Sequence, residues 1–559
     1  MDHGTPPPDD GDLRRNSSLV AAGILLSRFA GLLREIVTAR FLGTGLGAEA
    51  FKAALRIPNL LQNLLGEGVL SASFVPVYSK ALAEGREQDA GRLAGAIAGL
   101  LLAVTAALVL IGVVFAEPVT RLFVPGFIPG TEKFELTVTL VRIVTPGIGA
   151  LVLSAWCLGV LNSHGRFFLS YVAPVLWNVA IIASVTGAAL LITTDEIALA
   201  TAMAWGALAG SLLQLGIQLP TVLKSSEGLR LSASLSVTGV RTVVNRFGHV
   251  VAGRGGVQLA SYADLIATSL LAAGALVALG YAQVLYLLPV ALFGMSAAAA
   301  ELPTLSTMDQ TDRPRVVARL DDGLGRIAYF VVPSAVAFLV AGDQVVTLVY
   351  LGGRTSADAV VQVGAILSVL SLGLLASTSS RLLQSALYGS GDTRNPAIYA
   401  VIRVVVGLAI GITLMFPFDS IGASVAGFSV VDDVRFFQAA PDELRDSAES
   451  LLRLGAAGLA LGGAVGAWLE LALLRIRVRI LFGRVRLGGP HARAITTAGI
   501  VAAVAGLLAR FVLGTSTFAP RIDALIVLFA IGVTYVTVTR IGRVPEAEDL
   551  LRQARLERG

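Results

Sequence analysis

Apolar runs of 18 or more residues recur from one end of this chain to the other. Such runs indicate transmembrane helices, because a helix needs about 20 apolar residues to cross the hydrocarbon core of a bilayer. Of the 559 residues, 55% are hydrophobic and 14% are charged, and the mean hydropathy is +0.77. A soluble globular protein is closer to about 25% charged. The sequence therefore predicts an all-α polytopic protein of the inner-membrane type, without a sizeable soluble domain.

The predicted helices group into two lobes and a terminal pair. At about 20 residues per span we expect about fourteen transmembrane helices, arranged as two pseudo-symmetric six-helix lobes plus two C-terminal helices. The predicted organisation is a disordered cytoplasmic tail (1–16), an N-lobe (17–220), a cytoplasmic linker (221–248), a C-lobe (249–452) whose last helix begins near 453, a terminal helical region (453–540) and a cytoplasmic tail (541–559).

An internal repeat supports the two lobes. Residues 47–79 align without a gap with residues 274–306, at an offset of 227 and with eight identities in 33. Several identities are Leu or Ala, so chance similarity is the alternative. The short helical links at 159–174 and 385–400 lie at nearly the same offset. A shift of six helices preserves orientation, which predicts a parallel repeat and transport by alternating access around a central cavity.

Basic residues are unevenly divided between the two sides of the predicted membrane domain. The connections that follow even-numbered helices and the C-terminal segment contain far more basic residues than the connections that follow odd-numbered helices. By the positive-inside rule both termini are expected in the cytoplasm. The net charge of +5 then reflects topology, and no nucleic-acid partner is expected.

The first predicted helix carries charges that a bilayer disfavours. The run 24–43, ILLSRFAGLLREIVTARFLG, contains Arg28, Arg34, Glu35 and Arg40, although a charge at the bilayer centre costs about 2.5–3.5 kcal/mol on insertion scales. Arg56 and Glu67 follow in the second helix, whereas the matching stretch 274–306 has Glu301 as its only charge. This asymmetry predicts a cationic wall on one side of a water-filled cavity. Arginine suits a phosphate, because its planar fork binds two oxygens.

A structural interpretation is the alternative. Arg28 and Arg34 would then form an ion-pair network with Glu35 and Glu67, and Arg40 would extend to the interface. Arg28 and Arg34 are six residues apart and do not share a face of an ideal helix, so a common site requires a bend, for which Gly31 is the candidate.

Three segments resemble the MurJ/MviN family, the lipid II flippases of peptidoglycan synthesis: SRFAGLLREIVTARFLGTG, AFKAALRIPNLLQNLLGEGVLSASFVPVYS and LLQSALYGSGDTRNP. The resemblance implies the MOP-exporter fold, a central cationic cavity, a groove for the lipid tail between the last two helices, and an undecaprenyl-pyrophosphate-linked lipid as substrate. Membrane lipids and cell-wall synthesis enzymes would be its partners. By motif, the implied substrate-binding residues are Arg28, Arg34, Glu35, Glu49, Arg56, Asn59 and Glu67.

The chain departs from the family pattern at two cationic positions. Gln62 follows PNLL, where members often have arginine, and Val284 ends YAQV, where members often have an acid–arginine pair. These departures leave the exact substrate open.

Asp264 is the only acid of the seventh predicted helix. The family has a carboxylate in a similar place that can bind a coupling cation, and Gln258, Ser261 and Thr268 offer further oxygens for a monovalent ion. An ion pair with an arginine such as Arg403 is equally compatible with the sequence. No other cofactor is expected, so a monovalent cation or the membrane potential would drive transport. No metal site is expected from the single cysteine and four scattered histidines.

Other functions share parts of this pattern. A flippase for another undecaprenyl-linked glycan, a drug antiporter of the MATE type or a non-transporting scaffold would have the same architecture. A membrane glycosyltransferase would need a catalytic acid constellation in a loop, and none is evident, so we expect a lipid transporter and no enzyme. The loop 428–450 is expected to be a surface helix or a lid. The basic stretch 475–486 is expected either to fix topology or to dock anionic headgroups.

Overall fold

The computed structural model describes residues 10–295, 312–434, 436–446, 452–514 and 518–548. In these residues, eleven helices are long and apolar enough to cross a membrane, or twelve if one bent pair counts as a single span. Two more, α1 (Asp10–Leu42) and α10 (Val240–Ser269), are of similar length but more polar. These eleven or twelve helices follow the expected order, and α1 and α10 lie where the first and seventh of the fourteen expected spans were predicted. The chain is an all-α polytopic membrane protein.

The first of two compact units is Met1–Ile266. Between α1 and α10 it contains α2 (Leu46–Leu65), α3 (Glu67–Ser73), α4 (Val75–Ala83), α5 (Glu87–Val114), α6 (Ala116–Phe123), α7 (Glu132–Ser163), α8 (Phe167–Leu191) and α9 (Glu196–Ser225). Helix α7 contacts α2, α5 and α9, and its Trp156 and Cys157 are buried in the core of the unit.

The second unit is Ala267–Gly559. It contains α11 (Ala275–Pro289), a π-helical turn (Val290–Met295), α12 (Arg313–Tyr350), α13 (Ala357–Ser371), α14 (Leu374–Gly389), α15 (Arg394–Asp419), β1 (Ile421–Ser424), β2 (Gly427–Val430), α16 (Asp442–Asp446), α17 (Gly455–Leu481), α18 (Ala492–Leu513) and α19 (Pro520–Ile541).

Glycines allow α15 and α17 to pack closely. Gly407 and Gly411 are four residues apart on α15, and they face Gly462 and Gly466 on α17. A Cβ atom at Gly462 would overlap the backbone of both α15 glycines. Small residues at this spacing are what membrane helices use to approach each other without a hydrophobic driving force.

The two copies of the predicted repeat depart from regular α-helix at corresponding positions. In the first copy Gly66 separates α2 from α3. Its counterpart 227 residues later is Phe293, which lies in the π-helical turn after α11. The rest of the second copy, including Glu301, lies outside the described residues.

Three boundaries differ from the sequence-based expectation. Helix α1 begins at Asp10, within the tail expected at 1–16. The eleventh helix was expected at 396–426, followed by the loop 428–450. The antiparallel hairpin of β1 and β2 replaces the end of that helix and the start of that loop. The two units divide within α10, whereas the expected linker was 221–248.

The connection between α9 and α10 is fixed to the first unit. Gly91, Gly95 and Gly99 form one face of α5, and a Cβ atom at any of them would overlap the backbone of residues 227–232. The connecting chain therefore lies in a groove that only glycines leave open.

Candidate functional site

Glu35 is the centre of a group of charges between α1 and α2. Its Oε1 accepts from Arg34 Nη2 and its Oε2 accepts from Lys52 Nζ, both at 2.8 Å. All three side chains are only 12–18% exposed. One carboxylate thus holds two cations, and the group keeps a net positive charge in a membrane-spanning part of the chain.

Two residues of α8 complete the surroundings of Arg34. Its Nη1 donates to Asn178 Oδ1 at 3.2 Å, and its guanidinium carbon is 4.9 Å from the centre of the Trp177 ring. Asn178 is itself oriented by donating to the Pro174 carbonyl at 3.2 Å. We call Arg34, Glu35, Lys52, Trp177 and Asn178 the Glu35 cluster. The partners on α2 and α8 fix the guanidinium in one orientation.

Arg56 extends the positive charge along α2. It follows Lys52 by one helical turn, on the same face, and its carbonyl accepts from Tyr262 Oη at 2.9 Å. The Tyr262 ring packs edge-on against Phe123, with 5.7 Å between ring centres. Asp264, two residues further along α10, lies in the field of the Arg56 charge. Three cations and two carboxylates are therefore grouped in the first unit.

Arg403, which the sequence offered as an ion-pair partner for Asp264, pairs with Glu470. Arg403 Nη1 donates to Glu470 Oε2 at 2.8 Å, and Gln384 donates to Glu470 Oε1 at the same distance. Arg403 thus belongs to a polar network within the second unit, where Glu470 is almost fully buried.

The cation-binding role of Asp264 stays a prediction. The side chains of Gln258 and Ser261 lie outside the described residues, and Thr268 is buried in the second unit. Within the part of the chain that the structure describes, no three His, Cys, Asp or Glu side chains are grouped as metal ligands.

The remaining predicted site residues are dispersed. Arg28 lies on an exposed part of α1, Asn59 is half-buried on α2, and Glu67 is exposed in the first turn of α3. Helix α1 continues through Gly31, the candidate for a bend, without a break in the helix. Six residues of a straight helix place Arg28 and Arg34 about 120° apart. The structure therefore gathers Arg34, Glu35 and Arg56 but leaves Arg28 on another face.

Glu49 lies in a buried ion pair. Its Oε2 accepts from Lys133 Nζ at 3.2 Å, and the two side chains are 4% and 3% exposed. The ammonium group also lies 4.5 Å from the centre of the Phe127 ring. Glu49 belongs to the first turn of α2 and Lys133 to the first turn of α7, so this pair joins the starts of two helices.

The sequence-based site omitted Lys52, Trp177, Asn178 and Lys133. Lys52 could have been found by the reasoning that identified Arg56, because both are cations within one apolar helix. Trp177, Asn178 and Lys133 gave no such signal. Their roles depend on which helices are neighbours, and one sequence does not contain that information.

Comparisons with known proteins agree with this architecture. The family model described as "Lipid II flippase MurJ" matches residues 38–432. The chain is 31% identical to a probable lipid II flippase MurJ of Rhizobium tropici, over 71% of this chain and 74% of the relative. It is 32% identical to that of Rhizobium meliloti, over 74% and 76%. A solved structure of lipid II flippase MurJ in an inward closed conformation superimposes with a TM-score of 0.74 at 21% identity, and the match covers 95% of this chain and 99% of that one.

Proposed function

The chain belongs to the MurJ family of lipid II flippases, and from this membership we propose that it moves lipid II from the inner to the outer leaflet of the bacterial inner membrane. The substrate carries a pyrophosphate between its undecaprenyl tail and its sugars. That group cannot cross hydrocarbon unaided, because an unshielded charge in an apolar medium costs many kcal/mol. The protein acts as a transporter, and its task is to replace water around the pyrophosphate.

The observation that carries this proposal is the Glu35 cluster with Arg56 beside it. Arg34 presents a fork of N–H donors whose orientation is fixed by Asn178 and Trp177, and such a fork matches phosphate oxygens. Lys52 and Arg56 add charge on the neighbouring helix. Arg34, Lys52 and Arg56 together form the cationic wall. The arginines of the first helix alone would be too far apart to form it.

Glu35 limits the affinity of these cations for pyrophosphate. It pairs with Arg34 and Lys52 at 2.8 Å, so a bound pyrophosphate competes with the carboxylate for the same cations. Binding that is too tight would prevent release on the far side. The anion is therefore bound when the ion pairs of Glu35 with Arg34 and Lys52 break, and it is released when these ion pairs form again.

The membrane potential supplies the energy. An inside-negative potential is worth about 2.3 kcal/mol per charge per 100 mV, and it favours outward movement of an anion. A cation at Asp264 is the other candidate for coupling. Neither route requires nucleotide hydrolysis.

We expect alternating access to be visible at Asn59. With Cys157→Ser as background, a cysteine at Asn59 should react with a membrane-impermeant maleimide from outside in cells and from inside in inverted vesicles. Glu84→Cys, in the exposed connection after α4, is the control and should react from one side alone. Labelling of the Asn59 cysteine from a single side, under every imposed membrane potential, would contradict alternating access.

Both termini are expected in the cytoplasm. This expectation rests on the arginines in alternate connections, such as Arg166 after α7 and Arg394 at the start of α15. A fluorescent reporter that folds only in the cytoplasm should be active after the last residue, and a periplasmic phosphatase reporter should be inactive there. The opposite pair of results would reverse the topology.

Rescue of a bacterium depleted of its own flippase tests the proposed function. Cells carrying this gene should grow and keep their shape, whereas an empty vector should lead to lysis. Failure of rescue by a protein that is inserted at normal levels would favour a flippase for another undecaprenyl-linked glycan, or a scaffold.

A further inference from the structure

A cavity of about 600 Å³ lies in the second unit, where the ends of three helices meet. The start of α12, the turn between α14 and α15 and the end of α17 each contribute to its lining. The lining residues are Arg313, Ser390, Gly391, Asp392, Arg477, Leu481 and Phe482. Two arginines and two large apolar side chains thus share one cavity at the end of a helical bundle.

Both arginines of this cavity have N–H groups that are available to a ligand. Arg477 uses Nε to bind Asp392 Oδ2 at 2.6 Å, and within the described residues its two terminal nitrogens have no further partner. The Arg313 side chain makes no hydrogen bond or ion pair with the described part of the chain. Guanidinium groups with unused N–H donors are suited to the oxygens of a phosphate.

Asp392 orients Arg477, and the charges of Arg313, Arg477 and Asp392 together leave the lining with a net charge of +1. Its two oxygens accept from the backbone N–H of Asn395 at 3.2 Å and from Asn395 Nδ2 at 2.9 Å, in addition to Arg477. Burial would raise the pKa of Asp392, but the hydrogen bonds from Arg477 and Asn395 outweigh it and lower the pKa. Gly391, with a φ of 83°, forms the left-handed turn that brings Asp392 to this position.

The apolar side of the lining indicates an amphiphile. Leu481 and Phe482 end α17, and the surrounding basic stretch 475–486 attracts anions to this end of the bundle. We propose that this cavity binds an anionic phospholipid, with the headgroup phosphate between Arg313 and Arg477 and the glycerol and first acyl carbons against Leu481 and Phe482. The site is separate from the Glu35 cluster, which belongs to the first unit.

Calorimetric titration of the purified full-length protein with short-chain phosphatidylglycerol tests this proposal. Saturable binding is expected for the wild type. Arg313→Gln and Arg477→Gln should each weaken it by roughly tenfold or more, since each removes charged hydrogen bonds to the phosphate. Arg479→Gln is the matched control, because Arg479 is exposed in the same last turn of α17 but does not line the cavity. It should bind like the wild type.

Three results would overturn the proposal: no saturable binding to the wild type, equal weakening by Arg479→Gln, or inorganic phosphate binding as tightly as phosphatidylglycerol. The last would make the cavity a site for free phosphate. If Arg477→Gln fails to fold because Asp392 loses a partner, Arg313→Gln still decides, since the Arg313 side chain makes no hydrogen bond or ion pair with the described residues.

Discussion

Replacing Arg34 with alanine is expected to abolish transport while the protein still inserts into the membrane. Charged hydrogen bonds are worth about 1.5–3 kcal/mol each, and a loss of about 1.4 kcal/mol is tenfold in affinity. The loss of a bidentate contact should therefore reduce lipid II transport by roughly a hundredfold or more. Arg34→Lys should recover part of the activity, because it restores a point charge without the fork.

Arg40→Ala is the matched control for this experiment. Arg40 lies on the same helix and carries the same charge, but it is exposed near the helix end, so its loss should leave transport unchanged. Arg28→Ala is also expected to lower transport, although Arg28 lies on another face of α1 and would meet a different part of the substrate. Full activity of Arg34→Ala at normal protein levels would make the Glu35 cluster a structural feature.

Replacing Glu49 alone with methionine is expected to destabilise the first unit by about 3–5 kcal/mol. The change leaves the Lys133 ammonium buried, at 3% exposure, without its carboxylate. The double variant Glu49→Met/Lys133→Met should recover most of that stability, because a buried ion pair can often be exchanged for apolar residues of similar volume. Thermal unfolding of the purified variants in one detergent measures both effects.

The double variant also separates two roles of Glu49. If the ion pair is structural, the stable double variant transports lipid II at close to the wild-type rate. If Glu49 contacts the substrate, as the family resemblance implies, the double variant is stable and inactive. A double variant as unstable as the single one would contradict the buried-pair interpretation.

Hydropathy predicted the spans because the bilayer imposes one requirement on every helix, whatever its neighbours are. The rule that charges inside a membrane are functional led to the prediction of Arg34, Glu35 and Arg56 as site residues in the same way. Both inferences use only local sequence.

The partners of these charges could not be predicted, because they lie far apart in sequence. Lys133 reaches Glu49 across 84 residues and Asn178 reaches Arg34 across 144. Such pairs depend on the order and rotation of packed helices. The hairpin after α15 was missed for a related reason: its apolar residues continue the hydrophobic run of the helix, and β1 is distinguished only by its pairing with β2.

The most direct measurement is the amount of lipid II that reaches the outer leaflet. Cells depleted of their own flippase and carrying this gene are treated with a lipid II-cleaving enzyme that cannot cross the inner membrane, and the cleaved headgroup is counted. Cleavage at the level of undepleted cells is expected for the wild type and for Arg40→Ala, and cleavage near the empty-vector background for Arg34→Ala. Background cleavage with the wild-type protein, inserted at normal levels, would contradict the proposal that this chain moves lipid II.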